Sequence, residues 1–221
     1  REILQQIADV AREHELVVFA DEIYEKITYE GAEAINMATI TGDDVLCMTF
    51  SGLSKAYRVC GYRAGWLAIT GPKEDAKNYI EGITLLASMR LCSNVPAQHA
   101  IQTALGGYQS IDELVAPGGR LYEQRTLAYR MLNEIDGITC EQADGALYLF
   151  PKIDTEKFNI KSDEQFMLDL LKDQKILFSH GSAFNWHKPD HFRLVFLPDV
   201  QTLKSALERL GNFMADYKQK N

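Results

Sequence analysis

Two short apolar, β-rich runs, each ending in chemically loaded residues, constrain the fold of this chain most tightly. The first, Leu16-Val17-Val18-Phe19-Ala20, leads into Asp21-Glu22-Ile23-Tyr24, and the second, Val45-Leu46-Cys47-Met48-Thr49-Phe50, leads into Ser51. Unbroken apolar runs of this length are the pattern of strands buried on both faces of a parallel sheet. Parallel neighbours need a crossover of about a dozen residues or more, and the segment 25–44 supplies it. Both strands would then end on one sheet edge, where open α/β sheets bind their ligands. Gly65-Trp66-Leu67-Ala68-Ile69-Thr70 follows as a third strand, closed by a Gly71-Pro72 turn.

The remainder alternates between helical and extended patterns. Ile3, Leu4, Ile7, Val10 and Ala11 trace one helical face. The chain thus opens inside an amphipathic helix, at Arg1 and without a capping residue, and is expected to be a piece of a longer one. Residues 76–105 read as helical, interrupted by Ser93-Asn94-Val95-Pro96, with Pro96 opening the second helix and Gly106-Gly107 stopping it. Pro117-Gly118-Gly119 leads into a helix marked by Leu121, Leu127, Met131, Leu132 and Ile135, which Asp136-Gly137 ends. Strands at 138–141 and 146–150, a helix at 163–172, and strands at 176–178 and 191–196 follow, then a last helix at 200–217. Strands interleaved with helices after residue 116 suggest two domains, 1–115 and 116–221, the second a small α/β domain appended to the sheet domain.

Composition narrows the partners. Of 221 residues, 46% are hydrophobic, enough for a proper core. With 23 basic against 31 acidic residues the formal charge is −8, which argues against nucleic acid or an anionic membrane surface. No apolar run approaches the roughly eighteen residues of a membrane helix, and no leading stretch has the layout of a signal peptide. Cys47, Cys60, Cys92 and Cys140 show no paired spacing and read as reduced thiols of a cytoplasmic protein. His187 and His191 stand four apart, but Pro189 lies between them and no third ligand is near, so both read as surface histidines and no metal is expected.

The densest chemistry is the run Ser51-Gly52-Leu53-Ser54-Lys55-Ala56-Tyr57-Arg58-Val59-Cys60-Gly61-Tyr62-Arg63-Ala64-Gly65-Trp66. It sets a lysine among small and hydroxylated residues and an arginine eight positions on. An amine can bond an aldehyde as a Schiff base, and a planar guanidinium can hold phosphate oxygens two at a time. Those are the two needs of pyridoxal phosphate (PLP).

This run resembles the lysine region of the fold-type I PLP enzymes, the aspartate aminotransferase superfamily, and the resemblance extends over essentially the whole chain. It implies an α/β fold: the carboxyl-terminal part of the PLP-binding large domain, with a mostly parallel sheet, followed by the small domain. The glycine-rich phosphate turn, the aromatic that stacks on the ring and an asparagine near Tyr24 would lie upstream of this chain. By the same resemblance Lys55 is the Schiff-base lysine and Arg63 the phosphate-binding arginine. Asp21 pairs with the pyridine nitrogen as a buried anion, and Tyr24 donates to the ring's phenolic oxygen. Arg193, in His191-Phe192-Arg193-Leu194-Val195-Phe196, clamps the substrate's α-carboxylate, and Tyr148, in Gly145-Ala146-Leu147-Tyr148-Leu149-Phe150-Pro151, lines the substrate pocket. His180-Gly181-Ser182-Ala183-Phe184 resembles a glycine loop near the family's active-site entrance, and Arg90 stands near the place of a distal-carboxylate arginine. One position departs from the pattern. Where many members carry a phosphate-bonding serine three residues before the lysine, this chain has Gly52, flanked by Ser51 and Ser54, either of which could supply the hydroxyl.

The activity implied is transamination between an amino acid and a 2-oxo acid. Within the superfamily the lysine run is most similar to bacterial alanine (glutamate–pyruvate) aminotransferases, which implies alanine or glutamate as donor and pyruvate or 2-oxoglutarate as acceptor. A PLP lyase or decarboxylase would use the same anchors, and so would the aminotransferase-like sensor domain of a transcription regulator. The resemblance further implies a homodimer for the full-length protein and an inactive fragment when this half stands alone.

Overall fold

The computed structural model describes residues 1–220. The chain divides into two compact units, Arg1–Asp112 and Glu113–Asn221, and each is described by itself.

The first unit opens with helix α1 (Glu2–Glu13) and strand β1 (Val18–Asp21), followed by the single-turn helix α2 (Ala38–Thr41). Strands β2 (Cys47–Gly52) and β3 (Gly65–Thr70) come next, then helices α3 (Lys77–Met89) and α4 (Val95–Gly106). The strands form one sheet in the order β1-β2-β3. The β1–β2 pair is parallel, with Asp21 opposite Phe50, so both strands deliver their chemistry to the same edge. The β2–β3 pair is antiparallel and runs from Cys47 opposite Thr70 to Gly52 opposite Gly65. A Cβ on Gly65 would stand 2.7 Å from the Ser51 carbonyl oxygen, so only glycine permits this approach of the two strands beside the lysine loop.

Two expectations need correction here. The first run is not a strand buried on both faces: β1 is an edge strand, Phe19 is 58% exposed, and Asp21 is exposed too. A run can be apolar throughout while only one of its faces meets the core, formed by Ala8, Met37, Ile40 and Cys47 with Val18 and Ala20 against them. The helical face of α1 is also rotated from the expected one. Leu4, Ala8 and Ala11 turn toward the core at i, i+4, i+7 spacing, whereas Ile3, Ile7 and Val10 are exposed. The small Ala8 and Ala11 let the helix sit close to its neighbours; larger side chains there would hold it away.

Helix α5 (Ile111–Val115) carries the chain into the second unit, which holds α6 (Arg120–Asn133), α7 (Asp163–Gln174) and α8 (Val200–Asp216). Its strands are short: β4 (Ile138–Thr139), β5 (Tyr148–Leu149), β6 (Lys152–Ile153), β7 (Ser179–His180) and β8 (Phe192–Val195). Strands β4 and β6 pair with each other, while β8 lies between β5 and β7 in an antiparallel trio. The strand expected at Ile176-Leu177-Phe178 falls instead at Ser179–His180, because the ladder partners there are Arg193 and Phe192. The core is built from Leu121, Ala128 and Leu132 of α6, Phe166 and Leu170 of α7, Leu203, Leu207 and Leu210 of α8, and Phe192 and Leu194 of β8. These follow the 3.6-residue period on the helices and the two-residue period on β8. Phe166 anchors the packing, with its ring centroid 5.4–6.4 Å from those of Phe192, Phe213 and Tyr217.

Candidate functional site

The Lys55 loop begins where β2 ends. Lys55 is half-buried, and its Nζ lies 5.7 Å from the centroid of the Tyr24 ring, which follows β1. Two residues far apart in sequence are therefore brought together because β1 and β2 are parallel and in register. Among the described residues the Lys55 amine has no hydrogen bond and no ion pair; the Tyr24 ring is its contact. Downstream, a 3₁₀ turn at Cys60–Tyr62 ends on Arg63 in the left-handed conformation (φ 51°, ψ 42°). Arg58 is left-handed as well, at φ 58°. Such backbone costs a non-glycine residue on the order of 1 kcal/mol and is typical of loops shaped for a ligand. Arg63 Nη1 donates to the Cys60 carbonyl at 2.7 Å, and Asn94, the N-cap of α4, donates to the Tyr62 carbonyl at 2.8 Å. The turn is thus fastened at both ends, and Arg63 lines a cleft of about 800 Å³ with Ser93, Asn94 and Gln98.

The two serines before Lys55 differ. The Ser51 hydroxyl donates to Glu25 Oε1 at 3.3 Å, which puts a carboxylate beside it, and Glu25 also helps burial push the Tyr57 phenol up. Among the described residues Ser54 makes no such hydrogen bond to a carboxylate. Asp21, at the last position of β1, accepts the Ile23 backbone N–H at 3.2 Å. It stands at the strand end, where the resemblance puts the ring-nitrogen partner, but it is exposed rather than buried, at the end of an edge strand.

Sequence reasoning missed Glu22. Its carboxylate accepts the Met37 backbone N–H at 2.7 Å and the Asn36 side-chain amide, pinning the segment before α2 to the end of β1. Burial pushes the Glu22 carboxyl up, the Met37 bond partly offsets this, and nearby Glu25 adds to the rise. The residue sits inside the Asp-Glu-Ile-Tyr tetrad, but its adjacent acid drew attention because only that one matched a ligand role.

In the second unit Arg193 lies on β8, the central strand of its trio. Its guanidinium carbon is 4.5 Å from the centroid of Tyr148, from the β5 side, and 4.4 Å from that of Phe184, from the β7 side. Arg193 Nε is buried without a hydrogen-bond partner among the described residues, a costly state for a charged donor unless a ligand completes it. Phe184 was missed as a partner, although its glycine loop stood out in the sequence. His191 is not a surface histidine. Its Nδ1 is 2.7 Å from Asp190 Oδ1, and its ring stacks on Phe150 and meets Trp186 edge-on. His187 is exposed, and among the described residues no group of three His, Cys, Asp or Glu side chains is arranged to hold a metal ion. Arg90 is exposed at the carboxyl end of α3.

Lys55, Asp21, Arg63 and Arg193 share one property: none has an ion-pair partner among the described residues. An amine set on a tyrosine ring, a forked cation on a fastened turn and a strand-end carboxylate are the groups that PLP would engage, and the residues present fit it. No described helix is long and apolar enough to cross a membrane.

The fold and these groups define a chain of the PLP-transferase type, and the comparison with known families agrees: the family "Aminotransferase class I and II" matches residues 1–210, and the chain belongs to it. Among its relatives, the glutamate-pyruvate aminotransferase AlaA of Haemophilus influenzae is 58% identical over 219 residues, covering 99% of this chain and 54% of that protein. An alanine aminotransferase of Mycobacterium tuberculosis is 62% identical over 218 residues, covering 99% and 51%. The crystal structure of an aminotransferase from Escherichia coli superposes with a TM-score of 0.97 at 54% identity, over 100% of this chain and 54% of that one. The chain therefore spans about half the length of the relatives it matches.

Proposed function

We propose that the protein carrying this chain catalyses PLP-dependent transamination, with alanine or glutamate as amino donor and pyruvate or 2-oxoglutarate as acceptor. The observation that carries the reading is the Lys55 amine, half-buried on the Tyr24 ring and without a hydrogen bond or ion pair among the described residues. The names of the relatives support the choice of substrates. When bound, PLP supplies an aldehyde for the lysine and a ring that takes up the electron pair released at the substrate α-carbon.

The chain's own residues do the rest. Lys55 would take the proton from the substrate α-carbon as a general base and, as a general acid, deliver it to the carbon that was the cofactor's aldehyde, C4′. Asp21 opposes the charge of a protonated ring nitrogen, and each pK unit by which it raises that basicity is worth about 1.4 kcal/mol. Tyr24 donates its hydroxyl to the phenolic oxygen. Arg63 holds the phosphate with its planar fork. Ser54 suits the hydroxyl contact better than Ser51, because the Glu25 carboxylate next to Ser51 would repel a phosphate dianion. Arg193 holds the substrate carboxylate beside Tyr148; a charge-assisted bond of this kind contributes about 1.5–3 kcal/mol and fixes the orientation of the substrate. The homodimer and the cytoplasmic location implied by the family belong to the same proposal, as does the division into a cofactor-binding part (1–115) and a small domain (116–221).

The test is an absorbance spectrum of the whole protein with PLP, before and after L-alanine and then 2-oxoglutarate. A cofactor band that disappears with alanine and returns with the keto acid is the expected result. A band that ignores alanine and glutamate would overturn the substrate assignment.

A further inference from the structure

The ring of Phe184 reaches Arg193 from a turn that is held with unusual care. The 3₁₀ turn Gly181–Phe184 follows β7, and its Ser182 makes two bonds to one carboxylate. The Ser182 backbone N–H donates to Asp163 Oδ2 at 2.7 Å, and the Ser182 hydroxyl donates to Asp163 Oδ1 at 2.8 Å. Asp163 is 4% exposed and is the first residue of the twelve-residue helix α7, where the helix dipole favours a negative charge. Its Oδ1 also accepts the Glu164 backbone N–H at 3.0 Å. Because the Ser182 hydroxyl gives its proton to Asp163, its lone pair accepts from His180 Nδ1 at 2.8 Å. The turn is fastened on its far side as well. Gly181 N–H donates to the His191 carbonyl at 2.9 Å, and Trp186 Nε1 donates to Asp190 at 2.7 Å. A Cβ on Gly181 would stand 2.8 Å from that same carbonyl, so only glycine lets the turn lie this close to the chain entering β8.

A buried carboxylate is costly unless its bonds repay the desolvation. Here three of them do, and two go to the single residue two positions before Phe184. We propose that Asp163 is a positioning residue of the carboxylate site: through Ser182 it sets the turn that lays Phe184 on Arg193, so that the guanidinium is held between two rings and presents its free donors to a substrate carboxylate. The inference rests on the reading of Arg193 as the carboxylate anchor. Asp163 itself touches no substrate; its effect passes through Ser182 and Phe184.

The experiment uses the whole protein with PLP, four single variants (Asp163→Asn, Ser182→Ala, Ser182→Thr and Arg193→Lys) and the double variant of Asp163→Asn with Arg193→Lys. Asp163→Asn keeps the shape but replaces one acceptor with a donor. Asp163→Asn and Ser182→Ala should each raise KM for both amino acid and 2-oxo acid about tenfold, with kcat within about twofold and PLP affinity unchanged. Ser182→Thr retains the hydroxyl and should keep KM near that of the parent. In the Arg193→Lys background, Asp163→Asn should add no further rise in KM, since the group it positions is gone. A readout independent of turnover is the Nε–H NMR signal of Arg193, identified by its loss in Arg193→Lys and shifted by the nearby rings; it should move in Asp163→Asn and Ser182→Ala. KM effects that add in the double variant, or equal losses of KM, kcat and PLP binding, would reduce Asp163 to a fold residue and overturn the proposal. If Arg193→Lys alone leaves KM unchanged, the carboxylate reading fails instead. Should Asp163→Asn not fold, Ser182→Ala against Ser182→Thr carries the same decision.

Discussion

The Lys55 amine stands 5.7 Å from the centre of the Tyr24 ring, across the end of a parallel strand pair. Neither residue reaches the other through local sequence; the register of β1 against β2 makes the contact. Lys55→Ala should abolish the lysine–cofactor absorbance band and nearly all turnover in the whole protein. Tyr24→Phe removes one hydroxyl and keeps the ring, so it should leave the band in place and shift its pH midpoint. Spectra recorded across pH decide both; a band that survives Lys55→Ala would mean that another amine bonds the cofactor.

The hydrogen bond from Ser51 to Glu25 separates two serines that look equivalent on paper. Ser54→Ala should weaken PLP binding about tenfold, roughly the 1.4 kcal/mol of one charge-assisted bond. Ser51→Ala should change it by less than threefold. Titration of the cofactor-free protein with PLP measures both, and the reverse order would assign the phosphate to Ser51.

Gly65 faces Gly52 across the β2–β3 ladder, and a methyl group on it would meet the Ser51 carbonyl oxygen at 2.7 Å. Gly65→Ala should destabilise the first unit by about 1–3 kcal/mol, the usual cost of overpacking a well-fitted site. Because the strain falls at the base of the Lys55 loop, PLP affinity should fall with it. Urea denaturation and PLP titration of one preparation test the pair, and unchanged values for both would show that the strands can part without loss.

Asp190 gives the second unit a defined acid sensitivity. Burial alone pushes its carboxyl up, but the bonds from His191 and Trp186 outweigh this and hold it below the usual carboxylate range. A carboxyl lowered in the folded state contributes stability that is complete above the unfolded value, about pH 3.9, and is lost as the pH falls through the folded value. The second unit should therefore lose stability below about pH 4. Asp190→Asn should be less stable at neutral pH and show a flatter decline below about pH 4, as measured by denaturation at each pH.

The candidate residues stood out in the sequence because local runs carry them. Lys55 and Arg63 stand on one loop, and Asp21 and Tyr24 on one strand end, while their roles came from the family resemblance rather than from spacing. The helices α3, α4, α6, α7 and α8 were legible for a similar reason: their apolar period is local, and Gly106-Gly107 and Asp136-Gly137 mark where α4 and α6 stop. What escaped depends on contacts between segments. Phe184 and Asp163 are separated by a helix and a strand, Glu22 is used by Asn36 and Met37, and His191 is drawn inward by Asp190 and Trp186.

The sequence by itself determined the family and the α/β alternation and singled out the candidate positions, because motifs, residue type and short-range period carry that information. Only the tertiary structure decided which face of α1 and β1 meets the core, which serine faces an anion, and which ring covers Arg193. Those choices follow from strand register, edge position and close approach. They are properties of pairs of segments, and no single segment encodes them.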